Sequence, residues 1–118
     1  MPAKHLEASV RHLAGAAVID LDGEINGFGE ETLNAAYSEA EAKDPEVILL
    51  NFEGVDYINS TGIALIVSLL TRARASQRRL SAYGLSDHYV EIFNITRLSD
   101  FMGIYPDEKS AVQKASVS

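Results

Sequence analysis

The feature that most constrains this chain is a short run of β-favouring apolar residues, Val47-Ile48-Leu49-Leu50, held between Pro45 and Gly54. A continuous apolar run of that length reads as a buried central strand, because a half-exposed strand would alternate with polar residues. Length alone does not separate such a run from a helix fragment, but a proline before it and a glycine after it favour the strand. Helical patterns stand on both sides. Glu30 to Ala42 is built of helix formers, with Leu33, Ala36, Tyr37 and Ala40 at helical spacing and Pro45 as the stop. A second, apolar-faced helix is predicted from about Thr61 to Ala75, after a loop holding Gly54, Asp56 and Asn59.

The remaining segments extend this alternation. His5 to His12 reads as a first strand and Ala17 to Ile25 as a second, joined as a hairpin at Gly15. Leu80 to Leu85 reads as a strand, and Ser86 as the N-cap of a short helix with Asp87 in its first turn and Ile92, Phe93 and Ile95 on its apolar side. Phe101 to Tyr105 is a last strand, and Pro106-Asp107-Glu108 opens a final helix. Phe93, Leu98, Phe101 and Met102 are assigned to the core. The order β-β-α-β-α-β-α-β-α predicts an α/β fold: a mostly parallel central sheet with an N-terminal antiparallel strand and four helices. At 118 residues this is one domain, with a core over about 6–113 and a tail fraying from Ala115. The loops after Ile25 and after Phe52 then share the carboxyl edge of the sheet, where open α/β sheets place their sites.

Composition excludes several functions. With no cysteine there is no disulfide, thiolate metal site or cysteine nucleophile, which fits a reducing compartment. The N-terminus lacks the apolar stretch of a secretory signal, and Ile63-Ala64-Leu65-Ile66-Val67 is far short of the roughly 20 residues that span a bilayer. A cytoplasmic protein without a membrane segment is expected. A net charge of −7 argues against nucleic acid as partner. The charge is uneven: nine acids and one base lie from Asp20 to Glu46, but four arginines and no acid lie from Thr61 to Leu85. Two solvated helix faces of opposite sign account for this, and a polarised surface that orients a protein partner is the sharper reading.

Val55-Asp56-Tyr57-Ile58-Asn59-Ser60-Thr61-Gly62-Ile63 is the most informative stretch. It is a helix start at which Ser60 or Thr61 can cap. A phosphate on Ser60 would sit at the positive end of the helix and add about −1.5 to −2 charges. By spacing alone, serine and threonine before an apolar helical run are an ordinary N-cap. Catalysis has little support. His5, His12 and His88 are scattered, and no His-Glu-x-x-His, Gly-Lys-Ser/Thr phosphate loop or Gly-x-Ser-x-Gly elbow is present. Asp20 and Asp22, on one strand face, read as simple acidic surface rather than a metal site.

Three stretches carry a resemblance to the STAS family, specifically its anti-sigma-factor antagonists: Asp20-Leu21-Asp22-Gly23-Glu24-Ile25-Asn26, Leu49-Leu50-Asn51-Phe52 through Ser60-Thr61-Gly62-Ile63, and Ile92-Phe93-Asn94-Ile95-Thr96-Arg97-Leu98 with Phe101 and Ile104-Tyr105. They span roughly residues 10 to 112 in the family's order. The resemblance implies a partner switch. Ser60 is the serine phosphorylated by an anti-sigma factor that is itself a serine kinase, with Thr61 the rival acceptor. The unmodified protein binds that kinase and frees the sigma factor, and a metal-dependent serine phosphatase resets the modified one. Asn26, Asn59, Thr61 and Gly62 are the implied loop and partner-binding residues, and the chain itself needs no cofactor. Asn26 and Asn59 stand where the family often has aspartates, so each loses a charge but keeps a carbonyl acceptor. A STAS module that is never phosphorylated, acting as a scaffold in a signalling assembly or beside a transporter, is the alternative.

Overall fold

Five strands lie side by side in the order in which the chain makes them, β1-β2-β3-β4-β5. The computed structural model describes residues 5–116. Strand β1 (Glu7–Leu13) turns through Ala14-Gly15 into β2 (Ala16–Ile25), antiparallel to it, and Gly15 takes a positive φ of 74° at the second position of the turn, which glycine adopts without strain. From β2 onward the pairing is parallel: α1 (Glu30–Glu41), α2 (Ser60–Ala75) and α3 (Asp87–Ile95) link β2 to β3 (Val47–Ile58), β3 to β4 (Arg79–Tyr83) and β4 to β5 (Gly103–Tyr105). Helix α4 (Glu108–Ser116) closes the described chain.

The strand order never reverses. Right-handed crossovers that all step in one direction put their helices on one face of the sheet, and the core shows it. Ile19, Ile48 and Leu50 pack with Leu33 and Tyr37 of α1, Ile66 of α2 and Phe93 of α3. The alternate residues Val18, Val47, Leu49 and Tyr83 point to the other face, where Ala111 of α4 meets them. Val47-Ile48-Leu49-Leu50 is therefore apolar throughout because it feeds two separate cores.

Helix α4 is also held by polar contacts. Arg11 of β1 bonds both oxygens of Asp20 (2.6 and 2.9 Å) and reaches Glu108 at 2.6 Å. The Tyr83 hydroxyl donates to Glu108 at 2.7 Å, and Asn51 donates to Asp20 at 2.7 Å. The Arg11 hydrogen bonds hold the carboxyls of Asp20 and Glu108 below their ordinary values. Burial, helped by Glu108, pushes the Tyr83 hydroxyl well above its own.

Several expectations need correction. The segment read as a loop after Phe52 is strand as far as Ile58, with two register shifts where β3 carries an extra residue against β2. The last strand is only Gly103–Tyr105, because Leu98–Asp100 forms a 3-10 turn that puts Phe101 outside the sheet. Phe93, Leu98 and Met102 are buried as expected, but Phe101 is 56% exposed and Ile95 68%. Asp20 is no simple surface acid, since it is the centre of the Arg11 network. Most of the charged residues in the two segments are exposed, as solvated faces would be, but two ion pairs link them: Arg72 pairs with Glu41 and lies 4.6 Å over the Tyr37 ring, and Arg78 reaches Asp44 at 3.3 Å. Helix α4 continues through Ser116, while the end of the tail and the first four residues lie outside the described residues.

Candidate functional site

The carboxyl ends of β2 and β3 finish together, with Ile25 paired to Ile58. Each strand is followed at once by an asparagine that caps what comes next. Asn26 Oδ1 accepts from the Phe28 amide at 2.9 Å and opens the 3-10 turn Gly27–Gly29. Asn59 Oδ1 accepts from the Gly62 amide at 2.8 Å and opens α2. Asn59 is the N-cap, and neither Ser60 nor Thr61 is, which corrects the sequence reading. Ser60 is instead the first helical residue, and both it and Thr61 are exposed.

The two caps are joined. The Asn59 amide donates to the Ile25 carbonyl at 3.2 Å. A Cβ on Gly62 would lie 2.1 Å from that same carbonyl oxygen, so only glycine lets α2 rest on the end of β2. A Cβ on Gly27 would come 3.4 Å from Thr61 Cγ2. Asn26, Asn59, Ser60, Thr61 and Gly62, the residues singled out from sequence, therefore form one contiguous corner. The Ser60 hydroxyl stands at its rim, over a helix end whose leading amides have no intrahelical acceptors.

Electrostatics favour an anion there. Neither cap is charged, no acid stands in the first turn of α2, and a helix N-terminus carries roughly half a positive charge. An aspartate at position 59 or 26 could make the same capping bond but would bring a like charge to an added phosphate.

Two neighbours were not legible as part of this corner. Phe28, between two glycines on the adjoining turn, is 96% exposed. His88, one of three histidines scattered along the sequence, lines a cavity of about 380 Å³ together with Ser60, Tyr57, Ile63, Tyr89 and Ile92, and its ring stands edge-on to Tyr89. The Tyr89 hydroxyl takes the Ile58 amide as its donor at 2.9 Å, which ties α3 to the end of β3. Among the described residues no group of three histidines or carboxylates is placed to hold a metal ion, and no helix is long and apolar enough to cross a membrane.

Comparison with known proteins agrees with this architecture. The model of the STAS domain family matches residues 7–111. The anti-sigma-B factor antagonist of Listeria monocytogenes is 32% identical over 82 residues, which cover 70% of this chain and 72% of that protein. An anti-sigma factor antagonist from Mycobacterium paratuberculosis superposes with a TM-score of 0.81 over 94% of both chains at 16% identity. The Bacillus cell fate determinant SpoIIAA in its phosphorylated form does so with a TM-score of 0.70, at 22% identity, over 91% of this chain and 97% of that one. At such identities the structural likeness is one of fold.

Proposed function

The chain belongs to the STAS domain family, and on that footing we propose that it acts as an anti-sigma-factor antagonist in the cytoplasm, switched by phosphorylation of Ser60. In its unmodified form it binds an anti-sigma factor that is also a serine kinase and so frees the sigma factor. Phosphorylated at Ser60 it lets go, and a metal-dependent serine phosphatase restores it. The kinase brings the nucleotide, so this chain supplies an acceptor and a surface rather than a catalytic group.

The observation that carries this reading is the placement of Ser60: an exposed hydroxyl on the first residue of α2, where the two capped strand ends meet. A kinase can reach it, the helix end tolerates the charge, and any protein seated on the corner must cover it. Covering a doubly charged phosphate without a cation opposite costs several kcal/mol. At about 1.4 kcal/mol per tenfold, a loss of affinity of about a hundredfold follows. No large change of fold is needed. Thr61 is exposed too, but it faces the Gly27 turn, so Ser60 is the acceptor we favour.

The test is binding to the anti-sigma kinase encoded in the same genome. Ser60→Ala should bind constitutively and Ser60→Glu poorly, and mass spectrometry of the protein from its own cells should place one phosphate on the Ser60 peptide. Equal binding by both variants and the wild type, with no phosphate found, contradicts the switch and leaves the unphosphorylated scaffold.

A further inference from the structure

Ser60 sits at one end of a trough that runs the length of α2. Its first wall is α2 itself, through Ile63, Val67, Leu70 and Arg74, spaced as one helical face and spanning about 16 Å. The opposite wall is α3 and the turn after it. The cavity beside Ser60, about 380 Å³, and a second of about 310 Å³ beside Val67 and Phe101 are both lined by Thr96, so the two adjoin there along the same helix pair.

The chemistry of the lining limits what can occupy it. Away from Ser60 and the rim residue Tyr57, its hydroxyls are already committed inside the protein: Thr71 to the Val67 carbonyl at 3.0 Å, Thr96 to the Ile92 carbonyl at 2.8 Å, and Tyr89 with the Ile58 backbone. Apolar surface remains, with Val67 41% and Phe101 56% exposed at mid-trough and far end. An extended peptide, which must find backbone partners, has none to find along these helical walls. A helix satisfies its own backbone and needs only an apolar stripe.

Charge gives the direction. Arg74 closes the end remote from Ser60, lying 5.2 Å over the Phe101 ring, and among the described residues no carboxylate pairs with it. Arg97 stands beside it, matched by Asp100 at 2.7 Å. Resting on the switch reading above, we propose that this trough receives an amphipathic helix of the partner protein, about three turns long. Its apolar stripe lies along Ile63, Val67 and Thr96, an acidic side chain is set at Arg74, and its other end reaches Ser60. A phosphate on Ser60 then meets the docked helix directly.

The experiment measures binding of the full chain to the cognate anti-sigma kinase by calorimetry for the wild type, Ser60→Glu, Val67→Asp, Arg74→Glu and, as an exposed apolar control on β1, Leu13→Asp. Thermal melts confirm that each variant folds, and hydrogen exchange on the kinase locates the segment that becomes protected. Val67→Asp and Arg74→Glu should each weaken binding by about tenfold or more, Leu13→Asp should not, and the protected segment should be a helix bearing an acid. Wild-type strength in Val67→Asp and Arg74→Glu, with Ser60→Glu still weak, overturns the trough and leaves the switch standing. No binding by the wild type overturns both. Protection of an extended segment, or a dimer of this chain that Val67→Asp dissolves, overturns the proposed occupant.

Discussion

The field at the start of α2 can be measured with two small charges, Asn59→Asp and Ser60→Asp, made singly and together. An aspartate at 59 keeps the 2.8 Å capping bond to the Gly62 amide and makes it charge-assisted, so it should stabilise the fold by about 0.3–1 kcal/mol. An aspartate at exposed Ser60 lies in the same field and should gain a similar amount. Unfolding entropy of about 2.1 cal/mol/K per residue makes each kcal/mol worth about 4 °C in a chain of 118 residues. Independent effects would therefore raise Tm by several degrees in the double variant. The charges are adjacent, however, and at about 6 Å in near-aqueous surroundings they repel by ~0.7 kcal/mol. The double variant should melt about 3 °C below the sum of the single effects, and the deficit should shrink in 1 M salt, where screening acts within about 3 Å. Calorimetric melts of the four proteins at low and high salt decide it. Additive gains, or destabilisation by Ser60→Asp alone, would refute the picture of one shared electropositive corner. They would also remove the reason for thinking that asparagine at 59 eases the addition of phosphate.

Other consequences follow from the packing and the polar contacts. Gly62→Ala places a methyl 2.1 Å from the Ile25 carbonyl oxygen and 2.9 Å from Ile58 Cγ2, and should cost about 3 kcal/mol or prevent folding; a denaturation midpoint near the wild-type value would show that α2 can lift off β2. Tyr37 buries a hydroxyl without a partner among the described residues and its titration is pushed up by that burial, so Tyr37→Phe should leave Tm unchanged or raise it by a few degrees, and a clear fall would reveal a hidden partner. Asp20 and Glu108 titrate below their ordinary 3.8 and 4.5, so the stability they contribute is complete above those values and drains away as pH falls through the depressed native ones. Arg11→Met should therefore be less stable than wild type at pH 7, by a gap that narrows as pH falls below 3.8, and a gap that stays constant with pH in urea titrations would deny the network that role.

The parts of the fold read correctly from sequence are those in which one residue pattern meets one environment. Leu33, Ala36, Tyr37 and Ala40 all turn to one core, and Ser86 does cap α3, accepting from the Tyr89 amide at 3.4 Å. Errors arise where a pattern is shared between environments. Beyond Asn51, β3 pairs only with β2, because its pairing with β4 ends at Asn51–Tyr83; Glu53, Asp56 and Tyr57 are exposed and read as loop although the ladder continues. Gly54 belongs to a bulge, where a Cβ would lie 2.8 Å from Asp22 Oδ2. The candidate corner was legible in its membership but not in its roles, since Asn59, Ser60 and Thr61 are all competent caps and only the backbone decides among them. Phe101 and Ile95 carry no local mark of exposure, because which side of a nine-residue helix and its trailing turn faces outward depends on how α3 sits against α2.

The seat of Gly62 on the last carbonyl of β2 bears on how fast such a corner can respond. With no room for even a methyl group between them, helix and strand end are in direct backbone contact, and a charge added at the Ser60 oxygen would act outward from that contact without needing to open it. A visiting protein would read the altered charge on its very next collision. Once that charge was removed, the surface would return with no trace of its history.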